Sequence, residues 1–478
     1  MMKRITLLSI FSILSSAIAF AQPSTVTVGS TTLDVRVVFQ GTNSSNGIDI
    51  PWEIQWGPDD HIWMTERSGR VDRLNPETGV KSIVLDLSST VYDQSEAGLL
   101  GLQLDPDFET NGYVYLAYTY SQSFNVVKER IVRYTYNSGT NSLGSPMTLL
   151  DGIEGYSTHI GCRLLILPDN TMLATTGDVR EENSLPQDLD ELNGKVLRMN
   201  LDGSIPADNP FGSSSYVYTY GHRNAQGLVL APNGILYSSE HGPTTNDEFN
   251  IIIPGQNYGW PEVEGFCNQG WETSWCNSQS DYEDPIAIWS ENATIAPSDL
   301  VWYDHPAIPE WDGKMLMTVL KNKHLKEIEV DMAGTSVVGE TIWFQNTFQR
   351  LRDILVAPDG RVFLATSGNS WANSAPFTHS IVELKNSSYS PIGIEEGIVN
   401  VETKIYPNPS NGMTTISFPR EMRGAEYRVV DFTGRVIASG QVTNLNTQLD
   451  FSGLASGLYT VQATKGKYAT SERLILSK

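Results

Sequence analysis

Residues 232–242 read PNGILYSSEHG, a proline and a turn followed by a strand-like run. This unit recurs with the same order of turn and β-type residues at Pro58, Pro106, Pro168, Trp311 and Pro358. One such unit makes a sheet that cannot bury both faces alone. Six units therefore predict an all-β chain of radially repeated sheets, each unit being one blade. A large β-sandwich with coincidental turns is the alternative.

The surrounding stretch, Tyr218 to Pro261, is unusually dense in polar groups: YTYGHRNAQGLVLAPNGILYSSEHGPTTNDEFNIIIPGQNYGWP. Its glycines permit tight turns, which let short loops and backbone carbonyls converge on one place. The Arg223-Asn224 pair can bind an anion. Backbone carbonyls at Gly242-Pro243, beside carboxylates, suit a hard cation such as Ca²⁺. The stretch is therefore predicted to form a functional site.

Composition limits the classes of function. The chain has 478 residues, 40% of them hydrophobic, which is enough for one large domain and a smaller one. Its formal net charge of −23 argues against binding nucleic acid or an anionic membrane, because both repel an acidic protein. A neutral sugar is compatible with this charge, whereas an anionic cofactor needs a local basic pocket.

The N-terminus has the pattern of a secretory signal over residues 1–21. Lys3 and Arg4 precede an apolar run from Ile5 to Ile18, and small residues follow it. This run is too short for a membrane span, and no later segment is long and apolar enough. The mature chain is predicted to be exported, without a transmembrane segment.

Three cysteines are present. Cys267 and Cys276 could close a short disulfide in an oxidising compartment, and two free thiols are the alternative. Cys162 is left over, and we expect it to be a buried small hydrophobe rather than a nucleophile.

The composition changes near Asn386. Residues 22–385 form the predicted large domain, and the small, polar and Gly/Pro-containing residues 386–402 are predicted to be a linker. A new β pattern fills residues 403–478, and it is predicted to form a small β-sandwich without a cluster of catalytic groups.

Long motifs in the large domain resemble a known family. They are PWEIQWGPDDHIWMTERSGRV, EAGLLGLQLDPDFETNGYVYLAYT and GKVLRMNLDGSIPADNPF, together with the stretch quoted above. From Val37 to Leu384 the chain is similar to the soluble quinoprotein glucose dehydrogenases and aldose sugar dehydrogenases. The resemblance implies a six-bladed β-propeller with pyrroloquinoline quinone (PQQ) and Ca²⁺. It also implies oxidation of aldose sugars at the anomeric carbon, with electrons passing to an external quinone or cytochrome.

The resemblance also implies roles for individual residues. His159 stands where the family places its catalytic base, and a structural histidine is the alternative. Arg350 and Arg352 are two apart in a strand-like run, so they leave the same face and repel each other unless an anion lies between them. A solvated strand end is the alternative. Lys321 matches a further basic cofactor ligand.

The GHRNAQG motif matches the family at Arg223, Asn224 and Gln226. Arg223 is expected beside the quinone carbonyl, where it stabilises developing negative charge. Gly242 and Pro243 would supply carbonyl oxygens to the active-site calcium. A second, structural calcium is predicted at the acidic pair and the nearby tyrosine, with a turn cap and a solvated side chain as the alternative for the acids; these residues are Asp247, Glu248 and Tyr258.

Two positions depart from the family pattern. Glu96 replaces a frequent glutamine, and Thr158 replaces a frequent aspartate before His159. Glu96 is expected near the cofactor, which it would repel unless it is protonated or paired with an arginine. Two other functions stay open: a calcium-dependent propeller lactonase and a non-enzymatic propeller that binds glycans or proteins. The basic residues favour the dehydrogenase, and Glu96 favours the binding propeller.

The C-terminal pieces YPNPSNG, DFTGRVI and GLASGLYTV resemble the sorting domain of the type IX secretion system. This resemblance implies passage through the periplasm and recognition by that machinery, followed by release or surface anchoring. A carbohydrate-binding sandwich is the alternative.

Overall fold

The computed structural model describes residues 23–41, 49–180, 185–289, 293–368, 377–390, 399–401, 403–431, 435–465 and 468–478. The predicted signal, 1–21, lies outside these residues, as does most of the predicted linker. The chain divides into two compact units, Met1–Ser387 and Ser388–Lys478.

Nearly all of the regular secondary structure in the first unit is β-strand. In chain order they are β1 (Thr25–Val28), β2 (Thr31–Gln40), β3 (Pro51–Trp56), β4 (Ile62–Glu66), β5 (Arg70–Leu74), β6 (Lys81–Asp86), β7 (Leu99–Leu104), β8 (Tyr113–Ser123), β9 (Val126–Asn137), β10 (Ser142–Glu154), β11 (Gly161–Ile166), β12 (Thr171–Thr176), β13 (Lys195–Asn200), β14 (Val217–Tyr220), β15 (Ala225–Leu230), β16 (Leu236–Glu240), β17 (Asp247–Ile251), β18 (Ala287–Trp289), β19 (Pro297–Tyr303), β20 (Lys314–Val319), β21 (His324–Val330), β22 (Val337–Trp343), β23 (Leu351–Val356), β24 (Val362–Thr366) and β25 (Ser380–Lys385). Two short helices interrupt them, α1 (Phe108–Asn111) and α2 (Gly270–Cys276).

These strands form antiparallel sheets, which confirms the all-β prediction. Five sheets each contain four consecutive strands, from β3–β6 to β19–β22. A further sheet joins the two ends of the unit in the order β1-β2-β25-β24-β23, because β2 pairs with β25. We call β3, β7, β11, β15, β19 and β23 the first strands of the six sheets. Each packs beside the next in this order, and β23 packs beside β3, so the six strands form a cycle.

Each of these first strands carries a bulge close to its start. The pairing register shifts between Gly161 and Leu164 in β11 and between Leu351 and Asp353 in β23, and the other four first strands have the same irregularity. A bulge bends the strand and re-aims the side chains beside it. The same kind of bulge therefore redirects the chain where each loop enters a first strand.

A buried ion cluster ties four of these strands together. The guanidinium of Arg163 on β11 pairs with Glu53 on β3, lies 3.0 Å from Asp353 on β23 and 3.4 Å from Asp299 on β19. All four side chains are buried. Such a cluster costs much desolvation free energy, so its charges must stay paired.

The cysteines behave as two classes. Cys267 and Cys276 form a disulfide that encloses most of α2, which confirms the disulfide reading over two free thiols. Cys162 is free and buried, as expected.

The second unit contains two sheets and a short 3-10 turn, Arg420–Met422. Its strands are β26 (Val399–Asn400), β27 (Lys404–Tyr406), β28 (Met413–Ser417), β29 (Glu426–Asp431), β30 (Val436–Gln441), β31 (Asn446–Asp450), β32 (Gly457–Lys465) and β33 (Tyr468–Leu476). The sheet orders are β26-β33-β32-β29-β30 and β27-β28-β31. Ile416 of one sheet and Val429 and Val461 of the other share one buried cluster. Among the described residues of the whole chain, no helix is long and apolar enough to cross a membrane.

Candidate functional site

A cavity of about 200 Å³ lies where the loops enter the first strands of several sheets. Six of the predicted cofactor residues line it: Glu96, Asn224, Gln226, Lys321, Arg350 and Arg352. Residues from sheets far apart in sequence therefore meet at one place, because each immediately precedes or begins a first strand or, for Lys321, follows β20. The remaining lining residues are Leu100, Ile160, Gly161, His241, Ala296 and Leu320.

The cavity concentrates positive charge. Arg352 is only 7% exposed, and its Nη1 donates to Oε1 of Gln226 at 3.0 Å. Burial, followed by repulsion from Arg350, lowers the pKa of Arg352 below the ordinary arginine value. Burial likewise lowers the pKa of Arg350, which Glu96 partly opposes. The lowered pKa values show that burial, and for Arg352 also repulsion from Arg350, outweighs the attraction of Glu96.

Several donors in this cavity have no acceptor within the part of the chain that the structure describes. The Nε of Arg352 is buried without a hydrogen-bond partner among the described residues. Within the same described part of the chain, no acceptor is within hydrogen-bonding distance of the Arg350 guanidinium or the Lys321 ammonium. Buried polar groups are normally satisfied, and guanidinium groups bind carboxylates in bidentate fashion. The donor set therefore fits a polyanionic ligand.

Glu96 faces this positive cluster, and its Oε2 accepts the backbone N–H of His159 at 2.9 Å. Its charge acts on both Arg350 and Arg352. The carboxylate that departs from the family pattern is therefore set among cations and fixes the loop of His159.

His159 lies between a carboxylate and a guanidinium. Its Nδ1 is 2.7 Å from Oδ1 of Asp178, and its Nε2 is 3.2 Å from Nη2 of Arg223. Because arginine can only donate, Nε2 must accept, and the ring proton therefore sits on Nδ1 and is donated to Asp178. A neutral imidazole whose Nε2 carries a lone pair is the form that a general base requires, and here Arg223 occupies that lone pair.

Asp178 was missed by sequence reasoning, although it holds the base in place. It is fully buried and also accepts the Nε1–H of Trp260 at 3.0 Å and the N–H of Arg180 at 2.9 Å. The signal was present in the repeat: an acid ends the second strand of a sheet or lies two residues beyond it in three sheets, at Glu66, Asp178 and Glu240. In each case it accepts hydrogen bonds from the loop that leads into the first strand.

Glu240 fixes the Arg-Asn pair. Its Oε1 accepts the N–H of Asn224 at 2.9 Å and also the N–H of Arg223. The Arg223 guanidinium lies over the Trp260 ring, 5.3 Å from its centroid, and donates to the His241 carbonyl at 3.1 Å. Its Nε has no partner among the described residues. The side chain therefore lies behind the cavity wall, bonded to His241 of that wall, and keeps unused donor capacity.

His241 is another residue that sequence reasoning did not select. Burial lowers its pKa to about 4, so the ring is neutral and its Nε2–H donates to the Pro297 carbonyl at 2.6 Å. It contributes shape to the cavity wall and no charge.

The predicted calcium ligands fall into two groups. Asp247 accepts four groups of the chain, from Gly242, Thr294, Ile295 and Ala296, so its carboxylate shapes the loop rather than facing outward. Within the described residues, no hydrogen bond is made to the carbonyl oxygens of Gly242 or Pro243. Free carbonyl oxygens are suitable ligands for Ca²⁺.

The other predicted ligands have partners of their own. Glu248 accepts the N–H of Gly265 at 2.9 Å, and burial raises its pKa to about 8. The Tyr258 hydroxyl donates to the Ile251 carbonyl at 2.5 Å. No group of three or more His, Cys, Asp or Glu side chains within the described residues is arranged to hold a metal ion. The second calcium stays a prediction.

Comparison with known proteins identifies one family for the large domain and another for the C-terminal unit. Residues 48–372 match the glucose/sorbosone dehydrogenase family, and residues 404–477 match the secretion system C-terminal sorting domain. The chain is 32% identical to quinoprotein glucose dehydrogenase B of Acinetobacter calcoaceticus, over 74% of this chain and 89% of that protein. It is 29% identical to an aldose sugar dehydrogenase of Escherichia coli, over 68% and 88%.

A solved structure is similar as well. The PQQ-bound aldose sugar dehydrogenase of Streptomyces coelicolor matches with a TM-score of 0.62 and 31% identity, over 76% of this chain and 99% of that one. The structural neighbours are β-propellers, which supports the repeated-sheet reading over a single large sandwich. With its cation-lined cavity, its His-Asp pair and these matches, this chain belongs to the glucose/sorbosone dehydrogenase family of quinoprotein oxidoreductases and carries a C-terminal secretion sorting domain.

Proposed function

We propose that this protein is an exported, PQQ-dependent aldose dehydrogenase that oxidises the C1 hydroxyl of a sugar to the lactone. One observation carries the proposal: His159 of a His-Asp pair adjoins a cavity in which one carboxylate, Glu96, lies with three cationic side chains, those of Lys321, Arg350 and Arg352. A lactonase or a binding propeller has no need of such a cavity for a polyanion.

The architecture that we propose is a six-bladed β-propeller followed by a C-terminal β-sandwich. Support for the propeller comes from the cycle of first strands and from the sheet that joins β2 with β25. Support for the sandwich comes from the buried cluster shared by the two sheets of the second unit.

The residues of the candidate site fit both PQQ and Ca²⁺. Lys321, Arg350 and Arg352 would hold the carboxylates of PQQ, with Asn224 and Gln226 beside them. The carbonyls of Gly242 and Pro243 would ligate Ca²⁺, and Asp247 would hold their loop in position. When bound, PQQ supplies the two-electron acceptor for the sugar, and Ca²⁺ polarises it as a Lewis acid. We also propose, as a separate point, that a second calcium lies near Glu248 and Tyr258.

The chain's own residues accept and stabilise the proton that leaves the C1 hydroxyl. Nε2 of His159 takes the proton of the C1 hydroxyl, while Asp178 stabilises the imidazolium that forms. The hydroxyl would take the place of Arg223 Nη2 at His159, and the released guanidinium would be available to stabilise negative charge on the bound cofactor. Trp260 keeps both Asp178 and Arg223 in place.

The C-terminal unit would direct export. Its match to a sorting domain supports passage through the periplasm and delivery by the type IX machinery to the cell surface or the medium. Electrons would leave to an external quinone or cytochrome.

Reconstitution tests this function. Purified protein is loaded with PQQ and Ca²⁺, and dye reduction is followed with a panel of aldoses. We expect turnover with at least one aldose, and His159→Ala should retain bound PQQ while turnover is lost. If no aldose reduces the dye and no PQQ absorbance stays with the protein, the redox function is wrong. Hydrolysis of a lactone in the same preparation would then favour the lactonase.

A further inference from the structure

The segment between β17 and β18 forms a second, separate cleft. This segment contains α2, and the Cys267–Cys276 disulfide closes it. The cleft measures about 470 Å³, within the range of about 300–1,000 Å³ that small-molecule sites occupy. Its walls include Asn246, Phe266, Asn268, Gln269, Trp271 and Glu272.

The lining combines an exposed aromatic face with short polar groups. Trp271 is 61% exposed, and Phe266 is also exposed. An exposed indole beside an open cleft offers a flat apolar face with one polar N–H, a combination that is enriched at binding interfaces. Amides and carboxylates around it offer both donors and acceptors.

The cleft is held in a fixed shape. Besides the disulfide, the N–H of Cys267 and the hydroxyl of Tyr282 both donate to Oδ1 of Asp284, at 2.9 and 2.7 Å. Trp275 packs edge-on against Tyr282, with their ring centroids 5.8 Å apart. A rigid site loses little conformational entropy when a ligand binds.

Glu272 anchors the floor of the cleft. This side chain is buried, and its Oε2 accepts the N–H of Gln269 at 2.9 Å. Together with Glu264, which also lines the cleft, it gives the cleft negative charge. Anionic ligands are therefore disfavoured, and neutral ligands rich in hydroxyl groups are favoured.

We propose that this cleft binds a pyranose unit of a neutral oligosaccharide. The C–H face of the ring would pack on the Trp271 indole, and its hydroxyls would bond to the amides of Asn246, Asn268 and Gln269. This binding does not depend on PQQ or on oxidation at C1.

The cleft adjoins the loop of the proposed calcium ligands. Asn246 belongs to the loop that begins at Gly242, and its Nδ2 donates to the Glu264 carbonyl at 3.3 Å. The N–H of Gly265 donates to Glu248 on β17. A saccharide bound here is therefore held near the loop that shapes the candidate active site.

Calorimetric titration of the full chain tests the proposal with maltotriitol and cellotriitol, which lack an oxidisable anomeric carbon. We expect at least one of them to bind, with affinity about tenfold weaker or worse in Trp271→Ala, a loss equivalent to about 1.4 kcal/mol. Phe124→Ala is the matched control, because Phe124 is 92% exposed on the β8–β9 hairpin of another sheet.

His159→Ala separates this cleft from the active site. If this variant binds the alditols as the unmodified protein does while Trp271→Ala does not, the cleft is the site. Asn268→Ala gives a second test, and we expect it to weaken binding without altering the melting temperature. Absence of binding to both alditols overturns the proposal, and so does equal binding by Trp271→Ala. Failure of dye reduction in the reconstitution assay leaves these binding results unaffected.

Discussion

Nδ1 of His159 lies 2.7 Å from Oδ1 of Asp178, a carboxylate with no exposed surface. The two residues come from different strands' ends, 19 positions apart in the chain. Trp260 and Arg180 complete the carboxylate's hydrogen bonds. Asp178 therefore stays an acceptor, fixes the tautomer of His159 and leaves Nε2 as the basic atom.

Replacing Asp178 by asparagine tests this relationship. An amide can donate to Nδ1, which would move the ring proton to Nε2 and remove the base. We expect Asp178→Asn to lower kcat by roughly 10²–10⁴-fold, with PQQ binding retained. The measurement is steady-state dye reduction together with a PQQ titration of the same preparation. A kcat within a few-fold of the unmodified protein would contradict the assigned tautomer.

Glu129 gives a prediction for stability against pH. Burial raises its pKa to about 8, and within the described ranges its side chain makes one hydrogen bond, accepted from the Cys162 thiol at 3.0 Å. The folded chain thus keeps this proton up to about pH 8, whereas the unfolded chain loses it near the ordinary glutamate pKa of 4.5. Between these values the folded state binds more protons, so this group makes stability fall as pH rises.

Glu129→Gln should remove that slope. We expect the variant's advantage in unfolding free energy to grow from pH 5 to pH 8, by at most about 1.4 kcal/mol per pH unit. Melting temperatures of the variant and the unmodified protein across this range provide the measurement. A difference that does not change with pH would refute the assignment of a neutral buried carboxyl.

Gly242 offers a test of the proposed calcium loop. A Cβ at this position would collide with the carbonyl oxygen of Thr245 and lie 2.6 Å from that of Asn246. We expect Gly242→Ala to displace the loop and reduce Ca²⁺-dependent activity about tenfold or more. Gly144→Ala is the control, since a Cβ there meets nothing within 4 Å. Activity is compared after EGTA treatment and Ca²⁺ titration, and equal Ca²⁺ dependence in both variants would disprove the ligand assignment.

Much of the fold was predictable because the repeat unit carries its own turn chemistry. The runs that follow Pro58, Pro168 and Pro232 become β4, β12 and β16, each the second strand of its sheet. A turn with Asp or Asn and glycine followed by alternating residues specifies such a strand locally. The packing of one sheet on the next depends on how side chains fit together, which the repeat unit does not specify. The radial arrangement was therefore inferred from the number of units.

The cationic residues were also accessible from sequence, but their geometry was not. Arg350 and Arg352 were expected on one face of a strand, and both line the cavity. The bulge between Leu351 and Asp353 interrupts regular alternation there. Alternation alone is therefore not the reason that the two side chains meet.

Asp178 illustrates a residue whose position the repeat marks but whose partner it does not. Its importance comes from a contact with a residue on a different loop, and a lone aspartate after a strand is usually a turn residue. Tyr258 was predicted to help hold a second calcium with Asp247 and Glu248, and that site stays a prediction. In the structure Tyr258 stacks on His222, with the ring centroids 4.5 Å apart, and this packing sets the direction of its hydroxyl.

The most direct test of the central claim is an equilibrium titration with PQQ in the presence of Ca²⁺, comparing the unmodified protein with Arg352→Met. Arg435→Met is the control, since Arg435 is exposed in the other unit. We predict one PQQ per chain, binding weakened about tenfold or more by Arg352→Met, and unchanged binding in the control. Absence of PQQ binding to the unmodified protein, or equal affinity in all three, would contradict the account.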